Sequence, residues 1–283
     1  MEISQIVTIV KMQQYSDFLS DSDCRPCIVM SYGGSAVYEM KKLTFQRRIV
    51  AQALLGLLLS LPAAAAEIVF IAPLNHAMPL ARFADGQLQG GILKELGDAM
   101  AQRMGRTARY LPVPSKRVSQ VLERGEADCL CYALPRWLDG EFDWSRPVLQ
   151  DAGVVMARRE APHLRGLGGL AGKRVGTVSG YRYPQLDAAL GPDFVRDDGP
   201  TAEHSLRKLL AGRSEYAIVE QLMADYQLRN DPEHRLRIDL LVNRFQPQCA
   251  FSQRSKLEHG QMKRALDSLI DDGSIDKILA HYR

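Results

Sequence analysis

From Glu67 onward, apolar positions alternate between short continuous runs and helical spacing. Residues 67–73 (EIVFIAP) form a β-rich run closed by proline. Ile92, Leu93, Leu96, Ala99, Met100 and Met104 then recur three or four residues apart, which predicts a helix over 92–104 with Gly105 as its stop. Residues 108–113 read as a second strand, 115–124 as a short helix ended by Gly125, and 127–134 as a third strand. This β-α-β-α-β order predicts an open, mainly parallel sheet. Residues 135–147 are aromatic and turn-rich and break the pattern, and 148–158 (VLQDAGVVMAR) read as a strand leaving the first unit. The pattern restarts with a strand at 173–178 and helices at 183–190 and 201–211, the latter N-capped by Thr201 and followed by Gly212, and then a strand at 216–219. Two helices, about 257–271 and 274–281, close the chain around Gly273. The class is α/β, in two small units.

The segment ahead of this has a different character. Residues 40–66 (MKKLTFQRRIVAQALLGLLLSLPAAAA) carry Lys41, Lys42, Arg47 and Arg48, then an apolar stretch over about 49–61, then Ala64 and Ala66. Those are the parts of a secretory signal peptide, with cleavage expected before Glu67. The apolar run is too short for the roughly 20 residues of a spanning helix. Export machinery reads its signal at the start of a chain, so residues 1–39 are expected to be an upstream extension from a start codon placed too early. Cys24 and Cys27 in it form one C-x-x-C with no second pair, a weak metal signal.

The remaining length suits two units of about 100 residues each. Over 283 residues the formal net charge is only +3, which argues against nucleic acid or a membrane surface as partner. Cys129, Cys131 and Cys249 remain, an odd number for an oxidising compartment. Cys129 and Cys131 share one face of a strand, poor geometry for bonding each other. A bond from one of them to Cys249 stays open, while the sequence favours three buried free thiols.

Six segments taken together resemble the bacterial extracellular solute-binding proteins of the amino-acid-binding type. They are DGQLQGGILKELGDAMAQRMG (85–105), VLERGEADCL (121–130), FDWSRPVLQDAGVVMARR (142–159), LAGKRVGTVSG (170–180), LLAGRSEYAIVE (209–220) and ALDSLIDDGSIDKILAHY (265–282). The resemblance implies a two-lobe, periplasmic-binding-protein-like (type II) fold with two hinge crossover strands, in which the lobes close around a ligand. It places the first lobe at 67–153 plus 249–283 and the second at 158–244, with crossovers near 153–158 and 246–252.

The same resemblance suggests ligand contacts. An arginine after the third strand commonly takes the α-carboxylate, and Arg136 is the nearest candidate; an ordinary exposed arginine is the alternative, since 128–143 lacks the family's threonine-rich approach. Tyr132 and Trp137 either line the cleft or pack the lobe surface. Glu220 ends a strand where the family places an acid for the ligand's ammonium, on the crevice side of an open sheet. Ser179, Gly180, Tyr181 and Arg182 join a strand to the N-terminus of a helix, where free N–H groups meet an anion. The loop from Asn75 through His76 to Met78 is the facing lip, with His76 at the pocket edge and no partner at metal-ligand spacing. Gly166 to Ala171 matches G-x-G-x-x-A but precedes a strand, and Gly172-Lys173 lacks the rest of a P-loop, so neither marks a nucleotide site.

The expectation is therefore a monomeric periplasmic protein, without metal or cofactor, that captures an amino acid or related zwitterion for an ABC permease. The alternatives are a stand-alone binding or sensor protein and an exported enzyme resembling cyclohexadienyl dehydratase, with Glu220 as general acid.

Overall fold

The computed structural model describes residues 66–282. The expected extension at 1–39 lies outside the described residues, as does the expected signal peptide up to residue 65. Among the described residues no helix is long and apolar enough to cross a membrane.

Two five-stranded sheets organise the chain. The first contains β1 (Glu67–Pro73), β4 (Thr107–Val113), β5 (Cys129–Ala133), β6 (Asp143–Trp144) and β12 (Gln248–Phe251), in the order β4-β1-β5-β12-β6. The second contains β7 (Asp151–Arg158), β8 (Arg174–Val178), β9 (Val195–Gly199), β10 (Tyr216–Glu220) and β11 (Leu236–Phe245), in the order β11-β7-β10-β8-β9. Each is a mixed sheet, with a parallel core of βα units joined to antiparallel strands. A small hairpin, β2 (Arg82–Ala84) and β3 (Gln87–Gly90), turns at Asp85-Gly86, both at positive φ (51° and 72°), a geometry that Asp-Gly supports with little strain.

The two-residue period of the strands explains the layers. In β1, Ile68, Phe70 and Ala72 face one core with α1 (Ile92–Arg103), α6 (His259–Asp271) and α7 (Ser274–Ala280), while Ile71 faces the other with α2 (Val118–Glu123). The second sheet repeats this arrangement. Val154, Met156, Ala217 and Val219 pack with α4 (Ala202–Leu210) and α5 (Gln221–Arg229), while Val155, Ala157, Tyr216 and Ile218 pack with α3 (Pro184–Leu190). Thr201 caps α4, its Oγ1 accepting from the His204 N–H at 3.2 Å.

The passage between sheets differs from expectation at its first crossing. Residues 153–158 lie within β7, paired with β10 and β11, so the chain crosses earlier, at 145–150. It returns at 246–247, between β11 and β12. The cysteine expectation is also corrected. Cys131 and Cys249 form a disulfide between β5 and β12, and among the described residues Cys129 is left as a free, buried thiol, its Sγ 3.7 Å from that of Cys131. The reason is tertiary: antiparallel pairing sets Gln248 against Ala133 and Ala250 against Leu130, which brings Cys249 beside Cys131 across 118 residues of sequence.

Candidate ligand cleft

A cleft of about 450 Å³ lies between the lobes. Its first-lobe wall is aromatic. Tyr132, the penultimate residue of the buried strand β5, adopts φ 62°, unusual for a bulky residue; its hydroxyl donates to the Asp151 carboxylate at the head of β7. That contact locks the ring in place, with His76 edge-on at 5.6 Å between centroids, Trp137 at 6.3 Å and Phe245 at 6.5 Å. Trp137 and Phe245 also meet at 5.3 Å. Pro135 starts the tight turn that carries Arg136 and Trp137 to the rim.

The second-lobe wall is set by the loop after β8. Arg196 donates to the Val178 and Tyr181 carbonyls at 3.1 Å each, pairs with Asp198 at 2.8 Å, and lies over the Tyr183 ring at 5.0 Å. Tyr183 Oη accepts from the Val178 N–H at 2.9 Å. Gly180 sits at φ 86°, and a Cβ there would meet Ser115 Oγ at 3.4 Å and Lys116 Cγ at 3.5 Å, so its bareness lets the first lobe approach closely. Two polar contacts also bridge the lobes. Asn75 Nδ2 donates to Tyr181 Oη at 2.6 Å, and Arg182 pairs with exposed Asp139 at 3.3 Å.

Glu220 lies where β10 passes into α5, 9 % exposed. Burial lifts its carboxyl from an ordinary 4.5 to about 7, and the nearby Asp151 adds to the rise. No ion pair among the described residues offsets that cost. Asp151 is itself raised by burial, despite accepting from the Tyr132 hydroxyl and the Ala152 and Leu222 N–H groups. Burial and the neighbouring Asp151 and Glu220 push the Tyr132 hydroxyl far up, and burial with Glu220 does the same to Tyr181. Burial lowers His76 to about 4, so it is neutral at pH 7 and its ring serves as an uncharged wall.

Of the residues singled out in the sequence, Arg136, Tyr132, Trp137, Gly180, Tyr181, Arg182 and Glu220 line the cleft. Ser179 and Met78 do not: the Ser179 N–H turns back to the Gly199 carbonyl, and Met78 sits outside the lining set in the loop before the hairpin. Arg136 is exposed at the rim, and no ion pair or hydrogen bond among the described residues holds it. Sequence reading missed Asp139, Lys116, Phe245 and Asp151. The first three are joined to the cleft only by tertiary folding, whereas Asp151, polar within the apolar run 148–158, was a legible signal.

Two α/β lobes, two passages between them and a cleft lined from both sides define a two-lobe binding protein. The chain belongs to the bacterial extracellular solute-binding proteins, family 3, whose sequence profile matches residues 71–283. No curated protein sequence matches it. Among solved structures it is similar to an ancestral arginine-binding protein bound to arginine, with 17% identity and a TM-score of 0.67 over 77% of this chain and 99% of that one. It is also similar to the arginine-, lysine-, histidine-binding protein of the thermophilic bacterium Geobacillus stearothermophilus, with 18% identity and a TM-score of 0.63 over 76% and 94% of the two chains. A third similar structure is an ancestral amino-acid-binding protein described as a precursor of cyclohexadienyl dehydratase, with 14% identity and a TM-score of 0.66 over 77% and 95%.

Proposed function

We propose that this protein captures an amino acid or closely related zwitterion between its lobes. On this reading it is exported to the periplasm by a cleaved signal peptide, works as a monomer and hands its solute to an inner-membrane ABC permease. The observation that carries the reading is Glu220, a buried carboxyl on the cleft wall with no cation among the described residues to pair it. A buried charge without a partner is costly, so an empty cleft favours the neutral acid, and an ammonium brought by the solute restores the carboxylate. Arg136 at the rim supplies the complementary cation for the solute's carboxylate. Membership of family 3 and the amino acids named for similar structures support the same class.

The test is a thermal-shift screen of protein stripped of bound solute by unfolding and refolding. An amino acid at about 100 times its dissociation constant should add roughly 2.7 kcal/mol of stability and raise Tm. A hit that Arg136→Ala and Glu220→Ala both weaken supports the reading, and silence across zwitterions overturns it.

One observation favours a second reading. A carboxyl held near 7 is matched to general-acid work at neutral pH, as a dehydratase requires. Turnover of prephenate or arogenate, abolished in Glu220→Gln, would put that reading first.

A further inference from the structure

We infer that the cleft selects an amino acid carrying a second anionic group, not one carrying a second cation; this rests on the zwitterion reading above. Asp139 and Glu220 are the acidic residues lining the cleft, and Lys116, Arg136 and Arg182 are the basic ones. Asp139 and Arg182 face each other across the lobes and satisfy one another. Glu220 takes the ammonium and Arg136 the α-carboxylate. One charged group then remains, Lys116.

Its position suits a ligand contact. Lys116 is the middle residue of the turn Ser115–Arg117 that follows β4, its stem lies against Gly180 of the opposite lobe, and its side chain lines the cleft. No ion pair or hydrogen bond among the described residues engages it. A side-chain carboxylate on the solute would give it a partner. A guanidinium or second ammonium would meet Lys116 with no acid left among the lining residues to answer it. The rings of Tyr132, Trp137 and Phe245 attract a cation only weakly and do not supply the acid that would offset the like charge of Lys116. They serve instead as an apolar wall for the carbon chain. Similar structures are bound to arginine in one case and to L-glutamate in another, so the shared fold leaves the side-chain class to the charges that line the cleft.

The experiment is isothermal titration of the stripped, refolded protein with L-glutamate, L-2-aminoadipate, L-glutamine and L-arginine, repeated on Lys116→Gln. An acidic amino acid should bind at least tenfold tighter than glutamine and tighter still than arginine. In Lys116→Gln, an exposed substitution whose folding is checked by an unchanged Tm, the acidic-to-amide ratio should fall to near one while glutamine affinity is kept. Glutamine or arginine binding as tightly as the acids, or a ratio unchanged in Lys116→Gln, overturns the inference and leaves the zwitterion reading standing. Silence with all four overturns the inference, and the zwitterion reading falls with it only if the wider thermal-shift screen is silent too.

Discussion

The two lobes share one construction but meet the cleft with different chemistry. The first lobe offers aromatic rings and exposed cations, carried on a sheet stapled through Cys131 and Cys249. The second adds to Tyr181, Tyr183 and the exposed Arg182 a buried acid at the end of β10, on a sheet that no disulfide among the described residues crosses. Exposed cations cost little to keep charged, because water solvates them until a partner arrives. The buried carboxyl has no such support, so on the proposed reading the second lobe carries the group that responds to occupancy and pH.

The covalent asymmetry should give the largest effect. In the loop-closure account a staple across 118 residues contributes about 5 kcal/mol, mostly through the unfolded chain. Cys131→Ser combined with Cys249→Ser should lower the urea-unfolding free energy by about that amount, with Cys129→Ala as a much milder control. A loss no greater than the control's would show that the two sheets are held equally well without the staple.

Glu220 should behave in the opposite sense. Its carboxyl is raised to about 7 in the fold against about 4.5 when unperturbed, so the folded state holds a proton that the unfolded state releases between those values. Stability of the empty protein should fall as pH rises from 4.5 to 7, by about 3 kcal/mol in total. Glu220→Gln removes the penalty and should stabilise the empty protein at pH 8 by up to that amount, with the gain vanishing toward pH 4.5. The same variant should lose amino-acid affinity by about 30-fold at pH 8, since an ammonium needs the carboxylate. In the native protein, affinity should weaken as pH falls below 7. A pH-independent affinity would mean that the second lobe does not carry the responsive group.

Smaller effects sharpen the comparison further. Thr201→Ala removes the cap of α4 in the unstapled lobe and should cost about 1 kcal/mol in chemical denaturation. Arg182→Gln breaks the exposed pair with Asp139 and should change stability by less than about 1 kcal/mol, its effect appearing as a few-fold weaker affinity through easier opening. A large loss of stability there would make the interlobe pair a structural element instead of a latch.

Periodicity made the regular part of the fold legible. The strand at 67–73 and the helix at 92–104 were predicted to within a residue, because β1 is a continuous apolar run packed on both faces and α1 carries a single apolar stripe. Strand β11 (LRIDLLVNRF) escaped because it is half-buried and irregular, with register shifts at Ile238/Leu240 and Leu241/Asn243, so no clean alternation marks it. Helix α5 was hidden because its apolar stripe is short and begins directly after Glu220 without a turn signal. In the candidate site, Glu220 and the loop at 180–182 were readable as the ends of strands. Ser179 and Met78 were misplaced because residues adjacent in sequence point to different sides of a turn.

The sequence alone determined the α/β class, the restart into a second unit, the family resemblance and the residue types available for a charged solute, since each is written in local spacing and motif order. The tertiary structure alone decided which cysteines are bonded, where the chain crosses between sheets, and that Lys116, Asp139 and Phe245 join Arg136 and Glu220 around one cleft. Those outcomes depend on strand register and on the approach of two lobes far apart in sequence, and local patterns carry no measure of either. Burial of Glu220, the source of its raised proton affinity, is likewise a property of the packed lobes and not of the residue.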